Sequence, residues 1–325
     1  MSRVLITGGA GFIGRWLAVR AARAGCGVVI IDDFSVGRRE HLQGVDGITL
    51  VEGDIRDQTL VTAVLQEHQI ELVYHLAAIH YIPYCEQNPI EAFSINVGGT
   101  LSVIEAMRAA HVQRLVFAST GALYPSIEEP LTEDKPVQAH DIYGLTKLHA
   151  EQIIHYYHQR HAIRATIARL FNTYGPYETN PHLLPHVIQT LKSGETTIRL
   201  GNLHPKRDYV YVEGVAEALY RLAQVDEAYE IYNIGTGVEY SVAEVIQLLS
   251  KVLNRPLEVV QDPERVRPVD KMHQRACPEK LRNRLGWFPQ TPLHEGLTRW
   301  LAWEGITASV SSTSEDRYTP STDTV

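Results

Sequence analysis

Tyr143-Gly-Leu-Thr-Lys147 sets a phenol and an ammonium at an i, i+4 spacing. On a helix two such side chains share a face. A free tyrosine titrates near 10, and a neighbouring ammonium favours its phenolate. A phenol tuned in this way can exchange a proton with a substrate hydroxyl. The pair alone is weak evidence, because 16 tyrosines give YxxxK by chance roughly 0.3 times in a chain of this length. Two exposed residues of one helix would read the same. Ser119-Thr120 ends the strand-like run before it, and a hydroxyl there can hydrogen-bond the same substrate oxygen.

The N-terminal segment Val4–Gly14, VLITGGAGFIG, holds Gly9-x-Gly11-x-x-Gly14 and also Gly8-x-x-Gly11-x-x-Gly14. It follows an apolar strand-like run and opens a helix-like one, as a dinucleotide site requires. Glycines let the backbone turn tightly and approach a pyrophosphate, and a helix N-terminus supplies amide donors. The alternative is a glycine-rich turn with no ligand. The next strand-like run ends at Asp32, where a carboxylate accepts hydrogen bonds from ribose hydroxyls. Asp33 follows. Two carboxylates repel a 2′-phosphate, which favours NAD over NADP, with Arg38 and Arg39 weighing slightly the other way. Gly53-Asp54-Ile55 follows the third run. Asp54 there is either an adenine contact or a helix N-cap.

These residues need a scaffold, and the pattern around them supplies one. Strand-like runs at Val4–Thr7, Val28–Asp32, Thr49–Glu52, Leu72–Leu76, Leu115–Ser119 and Thr166–Leu170 alternate with helix-like stretches. The latter lie at Ile13–Ala24, Leu60–His68, Glu91–Ala110 and Tyr143–Arg160. Near-continuous apolar strands between helices predict an α/β protein with a doubly wound parallel sheet of the Rossmann type. Residues 1–172 are expected to bind the cofactor. Beyond them Gly175, Pro176, Pro181 and Pro185 punctuate a looser stretch. Helical pieces follow at Val187–Lys192, Val215–Leu222, Val242–Val252, Pro278–Leu285 and Leu293–Trp303. Residues 173–305 are expected to form a smaller substrate-binding lobe with interleaved elements. Residues 306–325, rich in Ser and Thr, are expected to be a disordered tail outside the chemistry.

The chain has 325 residues, 44% of them hydrophobic and 21% charged, enough to fill a large core. Lys and Arg number 30 against 38 Asp and Glu, a net charge of −8, which argues against a nucleic-acid partner. Three cysteines, Cys26, Cys85 and Cys277, include no CxxC, which argues against a disulfide framework or a zinc site. No metal is expected. No apolar run reaches a membrane span of ~18 residues, and no signal segment is evident. A cytoplasmic location is the expectation.

From Val4 to about Trp303 the chain resembles the extended short-chain dehydrogenase/reductase family, in its branch of nucleotide-sugar epimerases and dehydratases. TGGAGFIG (Thr7–Gly14), HLAA (His75–Ala78), NVGGT with Asn96, FASTGALY (Phe117–Tyr124), YGLTK (Tyr143–Lys147) and RLFNTYGP (Arg169–Pro176) carry the likeness. So do KRDYVYVEGVAEA (Lys206–Ala218), YNIGTG (Tyr232–Gly237) and RPVDK through LGWFP (Arg267–Pro289). The resemblance implies NAD as cofactor, held by Gly8, Gly11, Phe12, Ile13, Gly14, Asp32, Asp54, Ile55, Leu76, Ala77, Ala78, Asn96, Tyr143 and Lys147. It implies Thr120, Tyr143 and Lys147 as catalytic residues. It places a nucleoside-diphosphate sugar against His80, Thr120, Tyr143, Asn172, His182, Arg207 and Arg267. His80 reads equally well as an ordinary loop histidine. The two arginines would clamp the diphosphate, since planar guanidinium groups suit phosphate oxygens. Two long helices, Glu91–Ala110 and Tyr143–Arg160, would pair with their copies in a homodimer.

One departure bears on the reaction. Dehydrating members carry an acidic residue just after the active-site Thr, and here those positions are Gly121 and Ala122. Epimerisation is therefore favoured, at C4 and through a transient keto-sugar. A dehydratase or decarboxylase, or a ketosugar reductase, is the alternative enzyme. A catalytically inactive nucleotide-sensing protein is the non-enzyme alternative, and the retained Tyr and Lys speak against it.

Overall fold

The computed structural model describes residues 2–266 and 270–307. Arg267 and residues 308–325 of the expected tail lie outside them. The first half of the chain forms β1 (Arg3–Thr7), α1 (Phe12–Arg23), β2 (Gly27–Asp32), β3 (Ile48–Glu52), α2 (Gln58–Glu67) and β4 (Leu72–His75). It continues with α3 (Ile82–Gln87), α4 (Pro89–Phe93), α5 (Gly99–Ala109), β5 (Arg114–Thr120), α6 (Ile142–His161) and β6 (Arg164–Leu170). The second half adds β7 (Asn172–Tyr174), α7 (Leu183–Lys192), β8 (Thr197–Leu200), β9 (Lys206–Tyr211), α8 (Val212–Leu222) and β10 (Tyr229–Ile234). Last come β11 (Glu239–Ser241), α9 (Val242–Leu253), β12 (Glu258–Gln261), α10 (Glu279–Leu285) and α11 (Leu293–Trp303).

Seven strands make one parallel sheet, in the order β10-β6-β5-β4-β1-β2-β3. The strands read as continuous apolar runs because both faces are covered. Val4, Ile6, Val28 and Ile30 pack with Leu17 of α1 and Leu219 of α8. The alternating residues Leu5, Val29, Ile31 and Val73 pack with Val61, Leu65, Val103, Met107 and Ile154 from α2, α5 and α6. The strand order reverses between β1 and β4, where Thr7 lies opposite His75. Connections depart in opposite directions there, which opens a crevice beyond the carboxyl ends of the strands. A third core, built on α7, α9 and α11, includes Val187, Ile188, Leu249, Leu297 and Trp300.

The structure departs from the sequence pattern in places. The stretch expected as one helix over Glu91–Ala110 is α4 and α5 joined by a π-helical turn at Ser94–Gly98. That wider turn carries Asn96. Helix α7 begins at Leu183, not Val187, because Pro185 sits in its first turn, where no backbone N–H is needed. The run YEIYNI was not expected to be a strand, yet as β10 it extends the main sheet beside β6. Ile306, placed in the tail by composition, still packs on the third core.

Candidate active site

One cavity of about 800 Å³ occupies the crevice. Its floor is the glycine loop. Gly8 has φ +70°, and a Cβ there would lie 2.8 Å from the backbone of Ala77. A Cβ on Gly14 would lie 2.1 Å from the Gly8 carbonyl oxygen. The loop can close against β4 and start α1 only with hydrogen at these positions. The glycines thus bring the start of α1 to the cavity, a fit to a pyrophosphate. Phe12, Ile13, Ile55, Leu76, Ala77 and Ala78 also line the cavity, as the sequence led us to expect.

Asp32, at the end of β2, is buried at the rim of this cavity. Its carboxylate accepts N–H bonds from Ala10 and Phe34, each at 2.9 Å. It therefore also ties the glycine loop to the turn after β2. Asp33 lines the cavity beside it and binds Ser35 through both the backbone N–H and the hydroxyl. Arg39 pairs with Glu52 and covers the Phe34 ring, and neither it nor Arg38 lines the cavity. Asp54 lines the cavity too, held by Arg56, whose hydrogen bonds keep its carboxyl below the usual range. Its alternative role as a helix cap is corrected: Asp57 caps α2, accepting from Leu60 at 3.0 Å.

At the other end of the sheet Asp141 caps α6 by accepting the Gly144 N–H at 2.7 Å. The cap sets Tyr143 on the first turn and Lys147 one turn later. Lys147 is buried and Tyr143 half-buried, and both line the cavity with Thr120, the last residue of β5. Tyr143 is hydrogen-bonded to Thr120, whose oxygen also accepts the Ala122 N–H at 3.1 Å. The Lys147 ammonium stands 4.2 Å from the centre of the Phe117 ring. Burial pulls its pKa down to about 7, against the opposing charge of Glu151. Burial also raises the Tyr143 phenol well above its ordinary value, with the Thr120 hydrogen bond opposing. The sequence led us to expect Lys147 to lower that phenol; enclosure is the larger effect.

Beneath this pair lies a buried polar network that sequence reasoning missed. Glu151, i+4 from Lys147 on α6, accepts from Arg169 Nε at 3.0 Å and Nη2 at 2.7 Å, and from the Ser119 hydroxyl. Arg169 also donates to the Tyr124 oxygen at 2.7 Å, and Tyr124 donates to Asn233 at 2.9 Å. The helical spacing from Lys147 was the available signal. His75 is buried between Thr7 and Thr100, and burial lowers its pKa to about 3. It is a neutral strut between β4, β1 and α5.

The remaining expected residues divide. His80, Asn172, His182 and Arg207 line the cavity. Arg207 is engaged by Asp270 at 2.6 Å and by the carbonyls of Lys206 and Lys271, which leaves part of its donor fork for a phosphate. Asn96 is the exception, because it lies behind the wall. Its amide bonds the Ile79 N–H and carbonyl and the Thr146 hydroxyl, so it positions the β4 loop against α6 rather than lining the cavity. Sequence reasoning also missed Glu178, Asp270 and Lys271, all at the cavity wall. Glu178 carries no local motif, whereas Asp270 and Lys271 lie in RPVDK, where a role was expected of Arg267 alone.

A glycine loop at a sheet's switch point, an acidic strand end and a cavity-facing Tyr–Lys pair define a dinucleotide-dependent enzyme of the short-chain dehydrogenase/reductase type. The profile of the "NAD dependent epimerase/dehydratase family" matches residues 4–235, and the chain belongs to that family. It is an NAD-dependent epimerase. The UDP-glucose 4-epimerase of Corynebacterium glutamicum is 35% identical over 89% of this chain and 91% of its own length. That of Mycolicibacterium smegmatis is 33% identical over 91% and 96%. Among solved structures, a Stenotrophomonas UDP-glucose-4-epimerase with bound NAD and formylated UDP-arabinopyranose has a TM-score of 0.88 at 27% identity. It is covered to 98%, and this chain to 94%. The Thermus thermophilus UDP-glucose 4-epimerase complex with NAD has a TM-score of 0.84 at 30% identity, covering 93% of this chain and 99% of that one. Among the described residues no helix is long and apolar enough to cross a membrane.

Proposed function

We propose that this nucleotide-sugar epimerase inverts C4 of a UDP-hexose, with Thr120, Tyr143 and Lys147 as its catalytic residues. Bound NAD supplies, at its nicotinamide, the acceptor and returning donor of a hydride. Gly8, Gly11 and the start of α1 hold its pyrophosphate, Asp32 its adenosine ribose and Lys147 its nicotinamide ribose. Thr120 orients the sugar's 4-hydroxyl. Tyr143 would take that proton through its oxygen and, once the keto-sugar has turned its other face to the nicotinamide, return it to the same sugar oxygen. Lys147, in its protonated form, supplies the field that favours the phenolate.

The observation that carries the choice of epimerisation is the wall after Thr120. A Cβ at Gly121 would come within 3.1 Å of the Phe171 ring, and the next cavity-facing side chain, Ala122, is a methyl. No carboxyl stands there to protonate a leaving hydroxyl. Purified protein given UDP-galactose without added nicotinamide cofactor should form UDP-glucose, read by NMR. Formation of a 4-keto-6-deoxy product, or turnover only with added NADH, would refute this reading. We further assign residues 1–172 chiefly to the cofactor and 173–305 chiefly to the nucleotide sugar. Ile90, Leu101 and Tyr156 are exposed on α4, α5 and α6, which supports a homodimer through that face. Light scattering at micromolar concentration tests it. The three free cysteines support a reducing cytoplasm.

A further inference from the structure

His80 comes from the loop after β4, and Glu178 and His182 from the segment between β7 and α7. All three line the substrate end of the cavity. One donor atom from each lies within 4.8 Å of the other two. Bond lengths of 2.0–2.2 Å to a tetrahedral cation put donors roughly 3.4 Å apart, so modest side-chain rotation closes the set. Asn180 stiffens it. Its N–H donates to Glu178 at 3.0 Å, and its side-chain amide stands 2.9 Å from His80 Nε2. The His182 ring rests against those of His80 and Tyr81, with centroids 5.9 and 5.5 Å away. No lysine or arginine among the described residues pairs with Glu178. An enclosed carboxylate without a cation is costly unless it is hydrogen-bonded or binds a metal.

We propose that His80, Glu178 and His182 bind one divalent cation of the zinc class at the substrate end of the cavity. Two imidazoles and one carboxylate suit zinc, cobalt or nickel and are a poor match for magnesium, which prefers oxygen donors throughout. Three protein donors leave a coordination position for water or for a substrate oxygen, as in catalytic rather than structural sites. Asn180 fixes the Glu178 carboxylate through its N–H, and its side-chain amide, turned to present its oxygen, would accept the Nε2–H of His80 when Nδ1 binds the ion. The cysteine spacing could not reveal this site, because its donors are histidines and a glutamate from distant segments.

The test uses the whole protein with its NAD, stripped of metal by a chelator and titrated with zinc in a calorimeter. Cobalt titration, followed by visible absorption, gives a second readout. One ion per chain is expected, with no effect of magnesium at equal concentration. His80→Ala, His182→Ala and Glu178→Gln should each weaken zinc binding by at least the roughly 10–100-fold of a lost outer partner. Glu178→Gln keeps size and the Asn180 hydrogen bond, so it decides the matter even if a histidine variant fails to fold. No stoichiometric zinc in the wild type, or equal affinity in a folded Glu178→Gln, overturns the site. Binding is read without sugar nucleotide, so the result stands apart from the substrate assignment.

Discussion

Glu151→Gln removes one buried charge and almost no volume. In the wild type the carboxylate and the Arg169 guanidinium are each 5% exposed and joined by two hydrogen bonds. The amide keeps one acceptor but turns an NH₂ toward a donor. Removing one partner of a buried pair strands the other charge, at a cost of about 3–5 kcal/mol. At about 2 °C per kcal/mol for a chain of this size, melting should fall by roughly 6–10 °C. Arg169→Met in the same protein should recover part of the loss, with a coupling of about 0.5–3 kcal/mol. A second effect falls on Lys147. Glu151 raises that ammonium's pKa, which burial has brought to about 7. Without Glu151 the pKa moves lower still, so the cation is lost at a lower pH. The rate should therefore suffer more at pH 8 than at pH 6, and the alkaline limb of the pH–rate profile should move to lower pH. Denaturant melts of the two single variants and the double, with their pH–rate profiles, measure both effects. Additive melts together with an unmoved alkaline limb would refute the reasoning.

Tyr143→Phe should retain NAD and fold while turnover falls by about 10²–10⁴-fold, the usual worth of a positioned acid–base group; near-normal turnover would assign the proton to another residue. Thr120→Ala removes one hydrogen bond to the reacting oxygen, about 1–1.5 kcal/mol, and should cost roughly tenfold in kcat. Asp32→Ala should weaken NAD binding and narrow its advantage over NADP, measured by fluorescence titration. It should also lower the melting temperature, because Ala10 and Phe34 lose their acceptor.

What could be read from the sequence was what is local along the chain. Six apolar runs betrayed six strands because a doubly covered parallel strand must be apolar on both faces. Tyr143 and Lys147 were legible because one helical turn separates them. The glycines were legible because a backbone position whose Cβ would lie 2.8 Å from a neighbouring backbone tolerates no side chain. β10 escaped because its run mixes Glu and Asn with apolar residues. Buried Asn233 carries the reason: its side chain donates to the Leu131 carbonyl at 2.7 Å, so the polar residue belongs to a bond made far along the chain. Asn96 misled for the same cause. Its motif suggested a cofactor contact, but its amide is used up on Ile79 and Thr146. Arg207 was legible as a cation and not as a bound one, since Asp270 lies 63 residues on. His80 and Asn180 meet across 100 residues. Such contacts depend on how the β4 and β7 loops fall over one crevice. The cavity's substrate end is made almost wholly of them, and there a sequence motif says least about which ligand the protein takes.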